Sequence, residues 1–222
     1  MGAAYSKVMP PHQTLPDRWL LSDARNDAAL ERALSRLPRG SGFIYRHYHL
    51  PDEQRFARFR VLARLARARG HCVILADSAL TAKEWRADGY YGAPRALLPR
   101  RSGLLTLATV HNLREIALAN RLGAAAVLLS PAFATRSHPG ASTLGPMRFH
   151  RLAARSNVPV IALGGMDQQA ARRLRHPRWA AIDGLSGRRR IGATEAAILD
   201  GESAGGDDAH REHREYTWQA AR

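Results

Sequence analysis

Short apolar runs, each ended by polar residues or glycine, alternate along this chain with longer stretches in which apolar positions recur every three or four residues. The first pattern fits buried strands and the second amphipathic helices. Strands are predicted at RWLLSD (18–23), GFIYRHY (42–48), HCVILAD (71–77), GYYG (89–92), LLTLATV (104–110), AAAVLLSP (124–131), VPVIALGG (158–165) and WAAIDGLS (179–186). Between them DAALERALSRL, DEQRFARFRVLARLARARG, NLREIALANRLG, GPMRFHRLAARS and MDQQAARRLR carry the helical spacing, and GATEAAILDG (192–201) supplies a final helix. Such alternation predicts an α/β fold with a parallel sheet. Eight strands with their helices in roughly 200 residues is the scale of a single-domain (βα)8 TIM barrel. An open doubly wound sheet is the main rival. The barrel is expected over 17–200, with tails at 1–16 and 201–222, where no amphipathic pattern is sustained.

Composition narrows the class. Hydrophobic residues make up 45% and charged residues 24% of the 222, which excludes wholesale disorder. The excess of 34 Lys and Arg over 19 Asp and Glu gives +15 and favours anionic partners. It is uneven: 200–222 holds six acids against three arginines, so that 1–199 carries +18. The single cysteine, Cys72, excludes an intrachain disulfide and a cysteine metal cluster, and suits a reducing cytoplasm. No apolar stretch approaches the about 18 residues that span a bilayer, and no signal-peptide core is present. MGAAYS fits a myristoylation pattern only loosely, and HREHRE (210–215) reads as a solvated segment rather than a metal site.

On a barrel of this kind chemistry sits where strands end and βα loops begin. Those positions hold Asp23, Arg46, Asp77, Thr109, His111, Ser130, the stretch from Thr135 to His138, Gly164, Gly165 and Ser186. The GGM turn suits a phosphate seat, since glycines let backbone N–H groups approach an anion ahead of a helix start. GLSG after the last strand offers a second such turn. Asp77 either holds Mg²⁺ or caps the next helix. Arg46 is either an anion clamp pointing into the mouth or an exposed strand residue. His47 and His49 fall on the opposite face from Arg46 and read as structural.

Two of these segments carry a family resemblance. GAAAVLLSPAFATRSHPGASTLGP (123–146) resembles the Gly-Ala-Asp-Tyr-(apolar)-Gly-Pro-(apolar)-Phe-x-Thr-x-(Ser/Thr)-Lys signature, followed by Leu-Gly, of the thiamine phosphate synthase family, which includes a thiazole tautomerase branch. VPVIALGGM (158–166) resembles its Pro-Val-(apolar)-Ala-(apolar)-Gly-Gly-Ile. The resemblance covers roughly 17–190. It implies a small (βα)8 barrel that joins hydroxymethylpyrimidine diphosphate to thiazole phosphate and releases pyrophosphate, with Mg²⁺ and cationic side chains holding the leaving group.

It also implies a site. Arg46 matches the arginine of the family's Gln-x-Arg-Glu-Lys strand, although Ile44 and Tyr48 replace the Gln and Lys. Asp77 matches the aspartate of an Asn-Asp pair, with Ala76 for the Asn, and is the implied Mg²⁺ ligand. Thr109 sits at a serine and His111 at a nearby histidine. Thr135 and Ser137 are retained, while His138 stands where the family has its diphosphate lysine. Arg95 falls near the second metal-binding aspartate, and Pro131 replaces the histidine of the tautomerase branch. Arg46, Thr109 and His138 are therefore the expected catalytic residues. Arg46, Arg95, Thr135, Ser137, His138, Gly164, Gly165 and Ser186 are the expected phosphate and substrate contacts. A clamp of Arg46, Arg95 and either Arg100 or Arg101 would take over part of the metal's task.

The implied partners are small-molecule phosphate esters, with no membrane and with a homo-oligomer left open. Nucleic acid is disfavoured, because no aromatic platform or reading motif accompanies the charge. The alternatives to a synthase-like transferase are a barrel that binds thiamine-related phosphates as a sensor or partner subunit, and a thiazole tautomerase-like isomerase.

Overall fold

A computed structural model describes residues 15–135 and 142–186. The strands are β1 (Arg18–Leu21), β2 (Gly42–Tyr45), β3 (Cys72–Leu75), β4 (Gly89–Gly92), β5 (Leu105–Val110), β6 (Ala126–Leu129), β7 (Val160–Ala162) and β8 (Trp179–Ala181). The helices are α1 (Leu30–Arg36), α2 (Asp52–Ala68), α3 (Ala79–Glu84), α4 (Leu113–Arg121), α5 (Gly145–Ala153) and α6 (Gln168–Leu174), with 3₁₀ turns at Ala24–Ala29 and Pro94–Leu97. All pairings are parallel, and the sheet closes in sequence order with β8 back on β1. The protein is a (βα)8 barrel, and the open-sheet alternative is excluded. Among the described residues no helix is long and apolar enough to cross a membrane. The segment 192–201 and the boundary expected at 200 lie outside the described residues.

Period-two alternation sorts each strand between two cores. Trp19, Leu21, Ile44, Ile74, Leu107 and Leu128 are wholly buried in one, the barrel interior. Leu20, Phe43, Val73, Leu75 and Leu129 belong to the other, under the helices, where α2 contributes Phe59, Leu62 and Ala66. Polar groups staple the β1–β8 seam. Arg18 donates to the Pro177 carbonyl at 2.9 Å and lies over the Trp179 ring. At the other end the buried Asn26 amide donates to the carbonyls of Leu21 and Ile182, at 2.9 and 3.0 Å.

Six of the eight strands stop earlier than their sequences suggest, all but β4 and β5, and the released residues lie at the mouth. Asp23 leaves β1 to cap the first 3₁₀ turn in a capping box with Asn26. After β2, His47 takes a φ of 40°, which no strand continues. Strand β7 ends at Ala162, short of the expected 165, and Gly164 and Gly165 follow in a turn at φ 94° and 60°. Helix α3 is a further difference. It is too short for a periodic signal to register, and its start is marked only by Ser78, whose hydroxyl accepts the Thr81 N–H.

Trp19 fills the interior opposite Gly42, its partner in the β1–β2 register. A Cβ at Gly42 would run into the Trp19 ring. Gly42→Ala should therefore destabilise the barrel by about 1–3 kcal/mol, as overpacking of a filled core does, seen as a lower urea midpoint at unchanged slope.

Candidate functional site

Inward alternation continued past the strand ends brings Asp23, Arg46, Thr109 and Ser130 towards the mouth. Arg46 is the cation among them. Its Nη2 donates to Asp23 Oδ2 at 3.2 Å, while Asp23 Oδ1 accepts from Arg25 Nε at 2.9 Å. The Arg46 Nε is buried and, among the described residues, without an acceptor. Arg46 thus lies on the inward side rather than on an outer strand face. Thr109 is half-buried on the inner face of β5.

Behind Arg46 runs a buried polar chain. Ser22 Oγ accepts the Arg46 N–H at 2.7 Å and meets His47 Nδ1 at 2.8 Å, and His47 Nε2 meets Asp27 Oδ1 at 2.8 Å. Arg58 closes the chain by pairing with Asp27 and Glu31. These are the residue types of a nucleophilic triad, yet Ser22 is wholly buried and already engaged, so the arrangement braces the Arg46 backbone. Burial holds His47 below its ordinary value against the pull of Asp27. Burial likewise pushes the Asp27 carboxyl up, but hydrogen bonds from His47 and Arg58 outweigh it and keep Asp27 ionised. Neutral His47 then donates from Nε2 to Asp27 and accepts the Ser22 hydroxyl at Nδ1.

Arg55, in the first turns of α2, escaped the reading of the sequence. It is 6% exposed, and its Nε donates to the Arg46 carbonyl, its Nη2 to the Ala76 carbonyl and its Nη1 to Asp77 Oδ2 at 2.6 Å. Asp77 Oδ1 accepts the Ser78 N–H at 2.7 Å. Burial raises the Asp77 carboxyl, and the Arg55, Ser78 and Thr81 hydrogen bonds more than reverse this. The role expected of Asp77 is thereby corrected. Ala76 takes the inward position after Ile74, Asp77 turns to Arg55, and the helix cap is Ser78. One signal was available: Arg55 stands in the stripe Phe59, Leu62, Ala63 and Ala66 that α2 buries.

The glycine turn after β7 is packed from one side. A Cβ at Gly164 would sit 2.7 Å from the Pro131 Cα, and one at Gly165 would strike the Ala134 carbonyl. The N–H groups of Gly164, Gly165 and Met166 have no backbone acceptor among the described residues. The start of α6, in contrast, is capped by Asp167, whose carboxylate accepts the Ala170 N–H at 2.7 Å. The N–H groups without a backbone acceptor are therefore those of the turn itself rather than of the helix end. The second turn packs against the first: a Cβ at Gly184 would meet the Met166 carbonyl and Asp167, and the buried Ser186 hydroxyl donates to the Asp183 carbonyl. Arg95 is exposed in the 3₁₀ turn after β4. Arg100 precedes β5 and donates to the Leu122 carbonyl beyond α4, at the opposite end of the barrel, which removes it from the clamp, and Arg101 follows it there. His111 is exposed and tied to Glu115. Thr135 is half-buried just after β6. Ser137 and His138 lie outside the described residues.

The family model for thiamine monophosphate synthase matches residues 20–189. The chain belongs to that family. A candidate thiamine-phosphate synthase, the second of Aquifex aeolicus (strain VF5), is 38% identical over 58 residues, which span 26% of this chain and 31% of that protein. The thiamine phosphate pyrophosphorylase of Pyrococcus furiosus superposes with a TM-score of 0.64 at 22% identity, covering 83% of this chain and 96% of the other. FabK of Thermotoga maritima (TM-score 0.55, 16% identity, 77% and 58% covered) and the YdjI aldolase of Escherichia coli K12 (0.53, 10%, 77% and 75%) share the barrel alone. Membership of the thiamine monophosphate synthase family points to an enzyme of thiamine-biosynthesis type.

The Mg²⁺ that such a site implies does not fit the residues present. Both Asp77 oxygens are engaged, and among the described residues no group of three His, Cys, Asp or Glu side chains could hold a metal ion.

The buried histidines set a pH dependence. Burial lowers His47, His71 and His176 from the ordinary 6.5, so below that pH the unfolded chain binds more protons than the fold does. Stability should be full above about pH 6.5 and fall as pH drops through the lowered values, with His47→Gln making the slope shallower. Urea midpoints measured from neutral to mildly acidic pH report it, and a flat profile would contradict the assignment.

Proposed function

We propose that the barrel mouth handles thiamine-related phosphate esters as a synthase-type transferase, joining hydroxymethylpyrimidine diphosphate to thiazole phosphate with release of pyrophosphate. The observation that carries this reading is the turn at Gly164–Met166, whose N–H groups have no backbone acceptor among the described residues, after β7, where barrels of this kind seat phosphate. In this reading the turn holds a phosphate through its N–H groups. Arg46 offers its guanidinium to the diphosphate, exchanging Asp23 for phosphate oxygens as the charge on the leaving group grows. Thr109 supplies a hydroxyl from the inner face of β5. Arg95, Thr135, Ser137 and His138 are the remaining candidates for substrate contact.

One observation favours a second reading. The engagement of Asp77 by Arg55 leaves the mouth without the carboxylate that a metal-dependent transfer needs. A barrel that binds these esters without joining them would serve as a sensor or partner subunit.

Incubating the protein with both substrates and assaying thiamine phosphate separates the two. Turnover supports the transferase, whereas calorimetric binding of thiamine phosphate with no product after hours supports the second reading. Failure of both overturns the phosphate-ester assignment. Arg46→Ala should weaken phosphate-ester binding by about tenfold or more, since a hydrogen bond to a charged group is worth about 1.5–3 kcal/mol. An unchanged Kd in that variant would remove Arg46 from the site.

A further inference from the structure

The carboxylates at the described mouth face arginines. Asp23 lies between Arg25 and Arg46, Asp183 is 3.7 Å from Arg25, and Asp77 is held by Arg55. Arg55 is not a surface side chain that has swung in. Three of its nitrogens donate to acceptors just past β2 (the Arg46 carbonyl) and just past β3 (the Ala76 carbonyl and Asp77 Oδ2), and its guanidinium lies over the rings of Tyr48 and Trp85, at 5.5 and 5.3 Å. A divalent cation at Asp77 would have to come against this fixed positive charge, and displacing Arg55 would strand a buried guanidinium. Arg46 is different. It is partly exposed, its Nε lacks an acceptor among the described residues, and its carboxylate partner is shared with Arg25. It can turn donors towards an incoming anion while Arg25 keeps Asp23 neutralised.

We propose that the mouth receives a diphosphate group without a divalent cation: Arg55 permanently fills the cation position at Asp77, and Arg46 provides the positive charge that meets the anion. This inference rests on the phosphate-ester reading above.

The test uses the full chain, with inorganic pyrophosphate as one probe and Mn²⁺ as the other. Calorimetric titration with pyrophosphate should give a Kd that changes by less than about tenfold between excess EDTA and millimolar MgCl₂. Electron paramagnetic resonance should detect no stoichiometric Mn²⁺ bound to the protein alone, and Asp77→Asn, which keeps an acceptor for Arg55, should leave both results unchanged. Pyrophosphate bound only with Mg²⁺ overturns the proposal and leaves the phosphate-ester reading standing. Mn²⁺ bound by the native chain and lost in Asp77→Asn overturns it as well. Pyrophosphate and thiamine phosphate bound under neither condition overturn the phosphate-ester reading, and the proposal with it.

Discussion

A guanidinium taken out of water needs acceptors for its N–H groups and a counter-charge close by, and Arg55 finds them in two separate parts of the chain, just past β2 and just past β3. Its acceptors are the carbonyl at the end of β2, the carbonyl just past β3 and the carboxylate that follows. One side chain on α2 therefore fixes where two neighbouring strands end. The return bond, from the Tyr45 hydroxyl to the Arg55 carbonyl at 2.8 Å, ties the helix to the outer face of β2. With Arg55 holding the Arg46 carbonyl and Ser22 holding the Arg46 N–H, the peptide that aims the Arg46 side chain is gripped from both sides. Such support from behind is what keeps a charged group pointing into a mouth rather than sampling the rim.

The same pairing governs the local field. The chain carries +15, but among the described residues Asp23 and Asp77 at the mouth are each paired with arginines. Much of the surplus lies on helix exteriors: Arg60, Arg64 and Arg67 line an outer groove of α2 together with Phe56 and Trp85. Charge of that kind draws anions towards the molecule at long range, while selection among them is left to the few donors at the mouth.

The glycine pair after β7 serves packing and chemistry together. Absence of side chains lets the backbone at Pro131–Ala134 lean directly on the turn, with the Ala132 and Phe133 N–H groups donating to the carbonyls of Leu163 and Gly164. The carbonyls of Leu163 and Gly164 are thereby used, while the N–H groups of Gly164, Gly165 and Met166 have no backbone acceptor among the described residues. A steric requirement on one side has left hydrogen-bond donors on the other, which is the polarity an anion needs.

The order of apolar runs and helical stretches determined parallel strands alternating with helices, because each strand must bury both faces, one of them beneath a helix, while closure into a barrel rather than an open doubly wound sheet was decided by the tertiary structure. Arg46 stood open between an inward and an exposed place, whereas the family motifs and the glycine turn were equally legible, since both rest on local pattern. The partners of charged groups were not. Asp77 read as a metal ligand because nothing in HCVILAD reveals that Arg55, 22 residues away, lies within hydrogen-bond reach. Arg100 read as part of a clamp because its position in sequence does not say which end of the barrel it serves. Periodicity is a property of neighbours along the chain and survives in the sequence. Neutralisation is a property of neighbours in space, and only the closed barrel decided which arginine each carboxylate would meet.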